Sequence, residues 1–521
     1  MPNPDYRTMF DELEPFYPEL DDLSDLAVLM SGTSRVFDAG TIPAGYTYLA
    51  QFVVHDISLE EDSDRFFNLD RPVDILSPQS IGQIRNLRRP NFDLETIYGY
   101  AQPTNRGEPT RSELVTDQSV MAQLPLLKLG YTLGVDAGAE MPYPCDLSRG
   151  IASVMAKIVD PRNDENLLLA QTQVAFAKFH NALVVSFWDG AKLDPPMVEE
   201  LFEKARRSAI RHYQTIILTD FLPRVLQKDI LDEVVGSVRP NDLFYQPDLY
   251  VPLEFSIAAF RFGHSMVRES YDLNLINSKD GTSGPASLRN LQKFTGPGDM
   301  DSATLSPRLR LPSIWIIDWY RFYELGKGQI NYAENINTRL PLALRQLRPV
   351  VAGKPGELAN SLPALDLFRG RRLGLPAGQD VANKIGAVPL TVRDITEVID
   401  RLSVDTMSET EQQDLKTRLI KAFGEKTPLW FYTLAEAELL GDGKLGLVGS
   451  RIVAETMIPI LLYSEFSILQ KPWEPGESDL LDGEKFSMPA MLSFIREMGA
   501  KHFTELYPDS PDYFDDLNPL G

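Results

Sequence analysis

The sequence predicts a mainly α-helical protein with few, short strands. Three observations carry this. Apolar residues recur at helical spacing over long stretches, helix-start residues stand before them, and clean period-two alternation is scarce. Within Gln51–Asp56, Gln51 and His55 are four apart, so a helix puts both on one face. The polar run Arg162–Asn166 leads into apolar Leu167–Ala170 and a long helical pattern ending in His180-Asn181. Pro195-Pro196 suits a first helical turn, and Val198, Leu201, Phe202, Ala205 and Ala209 follow at helical spacing towards a stop near Pro223. Thr391 caps a helix carrying Ile395 and Val398. Ser408-Glu409-Thr410-Glu411 is a capping box for a helix ending at Gly424. Segments 270–311 and 471–521, rich in Gly, Pro, Ser and Asp, read as loops and a wrapping tail, and Glu60-Glu61-Asp62 as a solvated loop.

The chain has 521 residues, enough for two or three average domains or for one large enzyme core. At 43% hydrophobic and 24% charged residues it has an ordinary globular composition. No apolar run approaches the roughly eighteen residues a membrane span needs. Met1-Pro2-Asn3-Pro4-Asp5 lacks a basic start and an apolar core, and Cys145 is the only cysteine. The expectation is a cytoplasmic protein, or one exported without a conventional signal peptide. A net charge of −23 disfavours nucleic acid and anionic membranes.

Only five histidines are present, and two stand in unusual settings. In Phe260-Arg261-Phe262-Gly263-His264-Ser265 an imidazole sits between a small residue and a small hydroxyl on an apolar, aromatic segment. A haem needs that arrangement, because no bulky neighbour then holds the porphyrin plane away from the iron ligand. A lone histidine on an apolar stretch is more often a hydrogen-bonded core residue. Gln51-Phe52-Val53-Val54-His55-Asp56, Arg162-Asn163-Asp164-Glu165-Asn166 and Leu362–Pro376 are what alter that balance.

In this order the four segments resemble the animal-type haem peroxidase (peroxidase–cyclooxygenase) superfamily. Its hallmarks are a Gln-x-x-x-His-Asp distal helix, an Arg-x-x-Glu element, a Phe-Arg-x-Gly-His proximal helix and an Asn-x-x-Arg-x-Arg-Asp-His-Gly-Leu-Pro segment. Asn91–Gly99 resembles the family's aspartate-to-Tyr-Gly loop, and Leu445–Gly449 its late Gly-rich helix start. The resemblance runs from roughly residue 40 to residue 470. It implies one haem peroxidase-like domain over 1–521, with haem b between distal and proximal helices and 471–521 as a tail. His264 is the implied iron ligand, with Asp366 as acceptor for its second ring nitrogen, where the family usually has asparagine. A carboxylate there pushes electron density towards the iron. Alternatively, Asp366 pairs with Arg369 or Arg371 and leaves the imidazole alone. His55 is the implied distal acid–base, Arg162 the charge-stabilising cation and Gln51 the residue that orients water or an anion. Arg261 and Arg369 correspond to proximal-side and propionate-binding residues. His180 matches a structural helix element, not a ligand.

The departures from the family pattern are informative. Val54 replaces an ester-forming aspartate, while Glu165 retains the other ester-forming carboxylate, so one covalent haem link is open. Asn166 replaces the methionine of the most oxidising member and excludes a sulfonium link. Asp56 and Asp93 match calcium ligands, but Arg89 and Glu95 fall at the threonine and serine positions, which leaves calcium open; Arg89 pairing with both aspartates is the alternative. Arg261 replaces the radical-forming tyrosine of the fatty-acid oxygenase branch, three residues before the proximal histidine. Arg372-Leu373 replaces Asp-His in the fourth element. The expected function is a haem peroxidase that reduces hydrogen peroxide and oxidises small organic donors or halides, with a place in the response to oxidative stress. The alternatives are a haem oxygenase of a specialised substrate and a haem scaffold or sensor with little turnover. Expected partners are peroxide and a small-molecule reductant, with a monomeric or weakly oligomeric state and a bacterial or cytosolic character.

Overall fold

A computed structural model describes residues 6–33, 39–60, 75–99, 114–115, 124–132, 143–149, 156–237, 249–296, 311–326, 328–346, 361–502 and 506. The described chain is mostly helical, with two small antiparallel sheets, residues 39–43 with Tyr332–Glu334 and Ser270–Tyr271 with Ala286–Ser287. No described helix is long and apolar enough to cross a membrane.

Three long helices form the frame. The Gly45–Ile57 helix lies against Leu167–Phe187, which in turn packs on Pro195–Ile216. Phe52 stacks on Phe176 at 4.8 Å, and both meet the Tyr213 ring edge-on, so one aromatic cluster joins all three. Gly45 is required where it stands: a Cβ there would lie 2.4 Å from the Tyr323 ring. Asn166 caps the second helix through Leu169 N–H, and Asp194 caps the third before Pro195. The third helix continues through a π-helical turn, Ile217–Phe221. That turn carries Asp220, whose carboxylate accepts from the Tyr46 hydroxyl at 2.7 Å and so anchors the start of the first helix.

The segment holding His264 is a π-helical turn, Glu254–Ala258, followed by a 3₁₀ turn, Ala259–His264, where the resemblance implied a plain helix. Helices Leu429–Leu440 and Leu447–Tyr463 back it. Its start is tied down by the N-terminal segment: Met9 and Phe10 N–H donate to the buried Glu254 carboxylate. Leu362–Arg372, capped by Ser361 with Pro363 in its first turn, lies alongside. The capping boxes at Thr391–Asp394 and Ser408–Glu411 both form and open helices Val392–Arg401 and Glu409–Phe423.

Within 471–521, read as loops or a wrapping tail, Met488–Lys501 is a helix packed on Leu167–Phe187. Ser487 caps it, and Met488, Met491, Leu492, Ile495 and Met498 form a buried stripe. Flanking Pro and Gly residues masked that stripe in the sequence. Glu60, read as solvated, is half-buried and bridges to Asn86; Glu61 and Asp62 lie outside the described residues.

Candidate active site

The Gly45–Ile57 helix is buried almost all round, so its exposed positions are informative. Only Gln51 and Val54 are partly open, three apart on one face, with His55 beside them. The same helix packs against the Ala259–His264 turn, which brings the two singled-out histidines onto facing elements.

On the distal side, His55 Nδ1 is 2.8 Å from Asn163 Oδ1. Burial, and then the Arg162 charge, lower the imidazole to about 3, so it is neutral at physiological pH. Arg162 sits in a 3₁₀ turn, Pro161–Asp164, which Asp160 caps by accepting Arg162 N–H. The Arg162 guanidinium also donates to both Asp160 oxygens, at 3.0 and 2.7 Å, and to the carbonyls of Ser58 (2.6 Å) and His55 (3.1 Å). Burial works against that charge, but Asp160 outweighs it and holds Arg162 above its ordinary range. The cation is therefore fixed by the backbone of the base it accompanies. Gln51 Nε2 donates to Glu165 at 3.0 Å and Asn166 Nδ2 to Gln51 Oε1 at 3.2 Å, so Gln51, Glu165 and Asn166 form one polar edge.

On the proximal side, His264 Nδ1 lies 2.6 Å from Asp366 Oδ2. The other Asp366 oxygen accepts from Arg261 (3.1 Å) and Arg369 (3.2 Å). Asp366 therefore accepts from the histidine, as the resemblance implied, and at the same time pairs with Arg369, its sequence alternative, and with Arg261. Arg371 is elsewhere, donating to the Pro18 carbonyl. Burial pushes the Asp366 carboxyl up, but His264, Arg261 and Arg369 together hold it below its ordinary value, and it is ionised. Burial and the neighbouring Arg261 lower Arg369 to about 10.

These residues fit a haem. With Nδ1 engaged, His264 presents Nε2, and its side chain is 27% exposed although Phe260 and Phe262 around it are buried. A Cβ on Gly263 would meet nothing within 4 Å, so space is open beside the imidazole. Trp430, buried, has its ring 6.5 Å from that of His264 and its Nε1 without a hydrogen-bond partner. The Tyr6 hydroxyl is buried near Ser58, within electrostatic reach of both Arg162 and Arg261. Sequence reasoning assigned no role to Tyr6, Asp160, Asn163 or Trp430. Only the Asp160-Pro161 cap has a local signal.

The carboxylates expected at a calcium site are engaged by the chain itself. Asp56 accepts from Leu94 N–H, Thr96 N–H and the Thr96 hydroxyl, and Asp93 from Glu465 N–H. Among the described residues no group of three or more His, Cys, Asp or Glu is arranged for a metal. Arg89 does not pair with the two aspartates as the alternative had it; it lies 3.7 Å from Glu95. The arginine beside it, Arg88, pairs with Asp160 at 2.7 Å. His180 is buried between the Tyr98 hydroxyl and the Pro125 carbonyl.

Fold and site define a helical protein with two histidines on facing elements, each held by its own acceptor. Residues 92–414 match the animal haem peroxidase family, and the chain belongs to it. It is 35% identical over 121 residues to a peroxidase-like protein of Margaritifera margaritifera (22% of this chain, 14% of that one). It is 26% identical over 223 residues to the dual oxidase of Drosophila melanogaster (42% and 12%), and 27% over 248 residues to peroxinectin A of Dictyostelium discoideum (45% and 38%). It thus spans well under half the length of these relatives. Among solved structures it is similar to peroxidase A of D. discoideum, with a TM-score of 0.55 at 17% identity, covering 100% of this chain and 94% of that one. A fatty acid alpha-dioxygenase of Arabidopsis thaliana is similar with a TM-score of 0.54 at 15% identity, covering 98% and 81%. At these identities the likeness shows a shared fold.

Proposed function

We propose that the protein is a haem peroxidase that reduces hydrogen peroxide and oxidises small organic donors or halides. The observation that carries this reading is a neutral, buried His55 beside the fixed Arg162 cation, on an element that faces His264. A scaffold needs only His264. A haem held through His264 Nε2 would supply the two electrons that reduce the peroxide and would draw them back from the reducing substrate.

His55, neutral with one ring nitrogen engaged, takes the proton from one peroxide oxygen and returns it to the other, which leaves as water. Arg162, clamped by Asp160, Ser58 O and His55 O, cannot swing away, and its charge offsets the negative charge that develops as the O–O bond breaks. Gln51, held between Glu165 and Asn166, orients a water or the peroxide at the open face of the distal helix. Asp366 holds the His264 Nδ1 proton and fixes the ring. Arg261 is engaged with Ser256 O and Asp366, and a guanidinium forms no substrate-abstracting radical, which favours peroxidase over oxygenase chemistry.

Stopped-flow mixing of the haem-loaded protein with peroxide, followed by phenols, aromatic amines and halides in turn, tests the reading. A rapid Soret change followed by donor-dependent recovery is expected. A Soret band that peroxide leaves unaltered would refute it, as would full haem occupancy with an unaltered spectrum in His264→Ala.

A further inference from the structure

The distal base is the start of a chain of hydrogen bonds, and the chain's direction can be read from its last group, which only accepts. Gln173, on the Leu167–Phe187 helix, is buried and lies 3.1 Å from the Thr96 carbonyl through Nε2. A carbonyl has no proton to give, so Gln173 must turn its NH₂ to Thr96 and its Oε1 the other way. That Oε1 lies 2.8 Å from Asn163 Nδ2, which settles the second amide: Asn163 donates to Gln173 and turns Oδ1 towards His55. Oδ1 is an acceptor, 2.8 Å from His55 Nδ1, so the imidazole proton belongs on Nδ1 and the lone pair on Nε2.

Three bonds, from His55 through Asn163 and Gln173 to the Thr96 carbonyl, run the same way, and such chains polarise one another. Asp56 holds the residue on which the chain ends: Thr96 N–H and its hydroxyl donate to Asp56 Oδ1 at 3.1 and 3.2 Å, and Leu94 N–H to Oδ2 at 3.0 Å. Asp56 follows His55 in sequence, so the chain's end is anchored beside its start. Leu94 is held at φ 54°, a left-handed backbone that a branched side chain adopts only under constraint, and its N–H is one of the donors to Asp56.

We propose that Asn163 and Gln173 are positioning residues that set the tautomer of the distal base, with Asp56 anchoring the Thr96 segment whose carbonyl ends the chain. The proposal rests on His55 being the peroxide base, but the tautomer itself can be measured without peroxide or haem.

The test uses the full chain, labelled with ¹⁵N-histidine and free of porphyrin. His55 is identified by the signal lost in His55→Leu. Imidazole ¹⁵N shifts should show His55 as a single Nδ1–H tautomer. Gln173→Leu removes the acceptor that holds the Asn163 amide, so Asn163 turns over and Nε2–H appears. Gln173→Glu keeps an acceptor at that place and should retain Nδ1–H. In haem-loaded samples the peroxide rate constant should fall in proportion to the fraction of Nδ1–H lost. A wild-type His55 protonated on Nε2, or a single unaltered Nδ1–H tautomer in Gln173→Leu, overturns the proposal. Should Gln173→Leu fail to fold, the wild type and Gln173→Glu still decide it, since Nε2–H in either one overturns it. A wild type with the Nδ1–H tautomer but no reaction with peroxide sinks the peroxidase reading and leaves the positioning role standing.

Discussion

Replacing Asp366 by asparagine separates charge from hydrogen bonding on the proximal side. The carboxylate accepts from His264 Nδ1 at 2.6 Å, is fully buried and is held below its ordinary pKa, so it meets the imidazole as an anion. A hydrogen bond to a charged acceptor contributes about 1.5–3 kcal/mol and a neutral one about 0.5–1.5. Asp366→Asn keeps the bond and forfeits a difference of about 1.4 kcal/mol, which for one electron is about 60 mV. The sign is upward. A less anionic partner stabilises ferric iron less, and Arg261 and Arg369, left facing an amide, add positive potential in the same direction. Spectroelectrochemical titration of both haem-loaded proteins should therefore place the ferric/ferrous potential of Asp366→Asn at least about 60 mV above that of the wild type. An equal or lower potential in the variant would mean that the two guanidiniums already cancel the carboxylate, and the electron-push reasoning would go with it.

Glu165 accepts from Gln51 at the edge of the distal face and stands where the resemblance puts an ester-forming carboxylate. Acidified-butanone extraction after peroxide cycling should release all haem from Glu165→Gln, whereas retained haem would place any covalent link elsewhere. Burial raises Glu254 from 4.5 to about 7 against the pull of Met9 and Phe10 N–H. The folded state thus holds this proton more tightly than the unfolded state. Its contribution is most favourable below pH 4.5 and declines by up to about 3 kcal/mol as pH rises to 7. Denaturant midpoints of wild type minus Glu254→Gln should fall across that window, and a flat difference would count against the shift. Gly45→Ala forces a methyl against the Tyr323 ring and the Phe322 carbonyl, and should cost about 1–3 kcal/mol of stability. Unchanged thermal melting would show that the Tyr323 packing yields.

Local rules reached as far as local physics allows. The pairing of Gln51 with His55 on one helix face follows from a 3.6-residue period, the Ser408 capping box from a hydroxyl and a carboxylate three residues apart, and the Thr391 cap from its hydroxyl. Met488–Lys501 obeyed the same period and was missed because the Pro- and Gly-rich residues around it dominate the composition of the tail. The resemblance gave Asp366 as the acceptor of His264, but neither the sharing of that carboxylate with Arg261 nor the Asp160 that holds Arg162. Asp366 lies 102 residues from His264 in sequence and 105 from Arg261, and its choice to serve both depends on how Leu362–Arg372 packs beside the Glu254–His264 turns. The same holds on the distal side. Whether Asp56 takes a metal or two backbone N–H groups, and whether Arg89 reaches it or Glu95, is decided by the path of residues 91–99, including a left-handed Leu94 that no propensity favours. Periodicity and caps are encoded within a few residues and survive in any context. A buried carboxylate's partners are set by desolvation, which drives it to the nearest donors that the packed chain supplies.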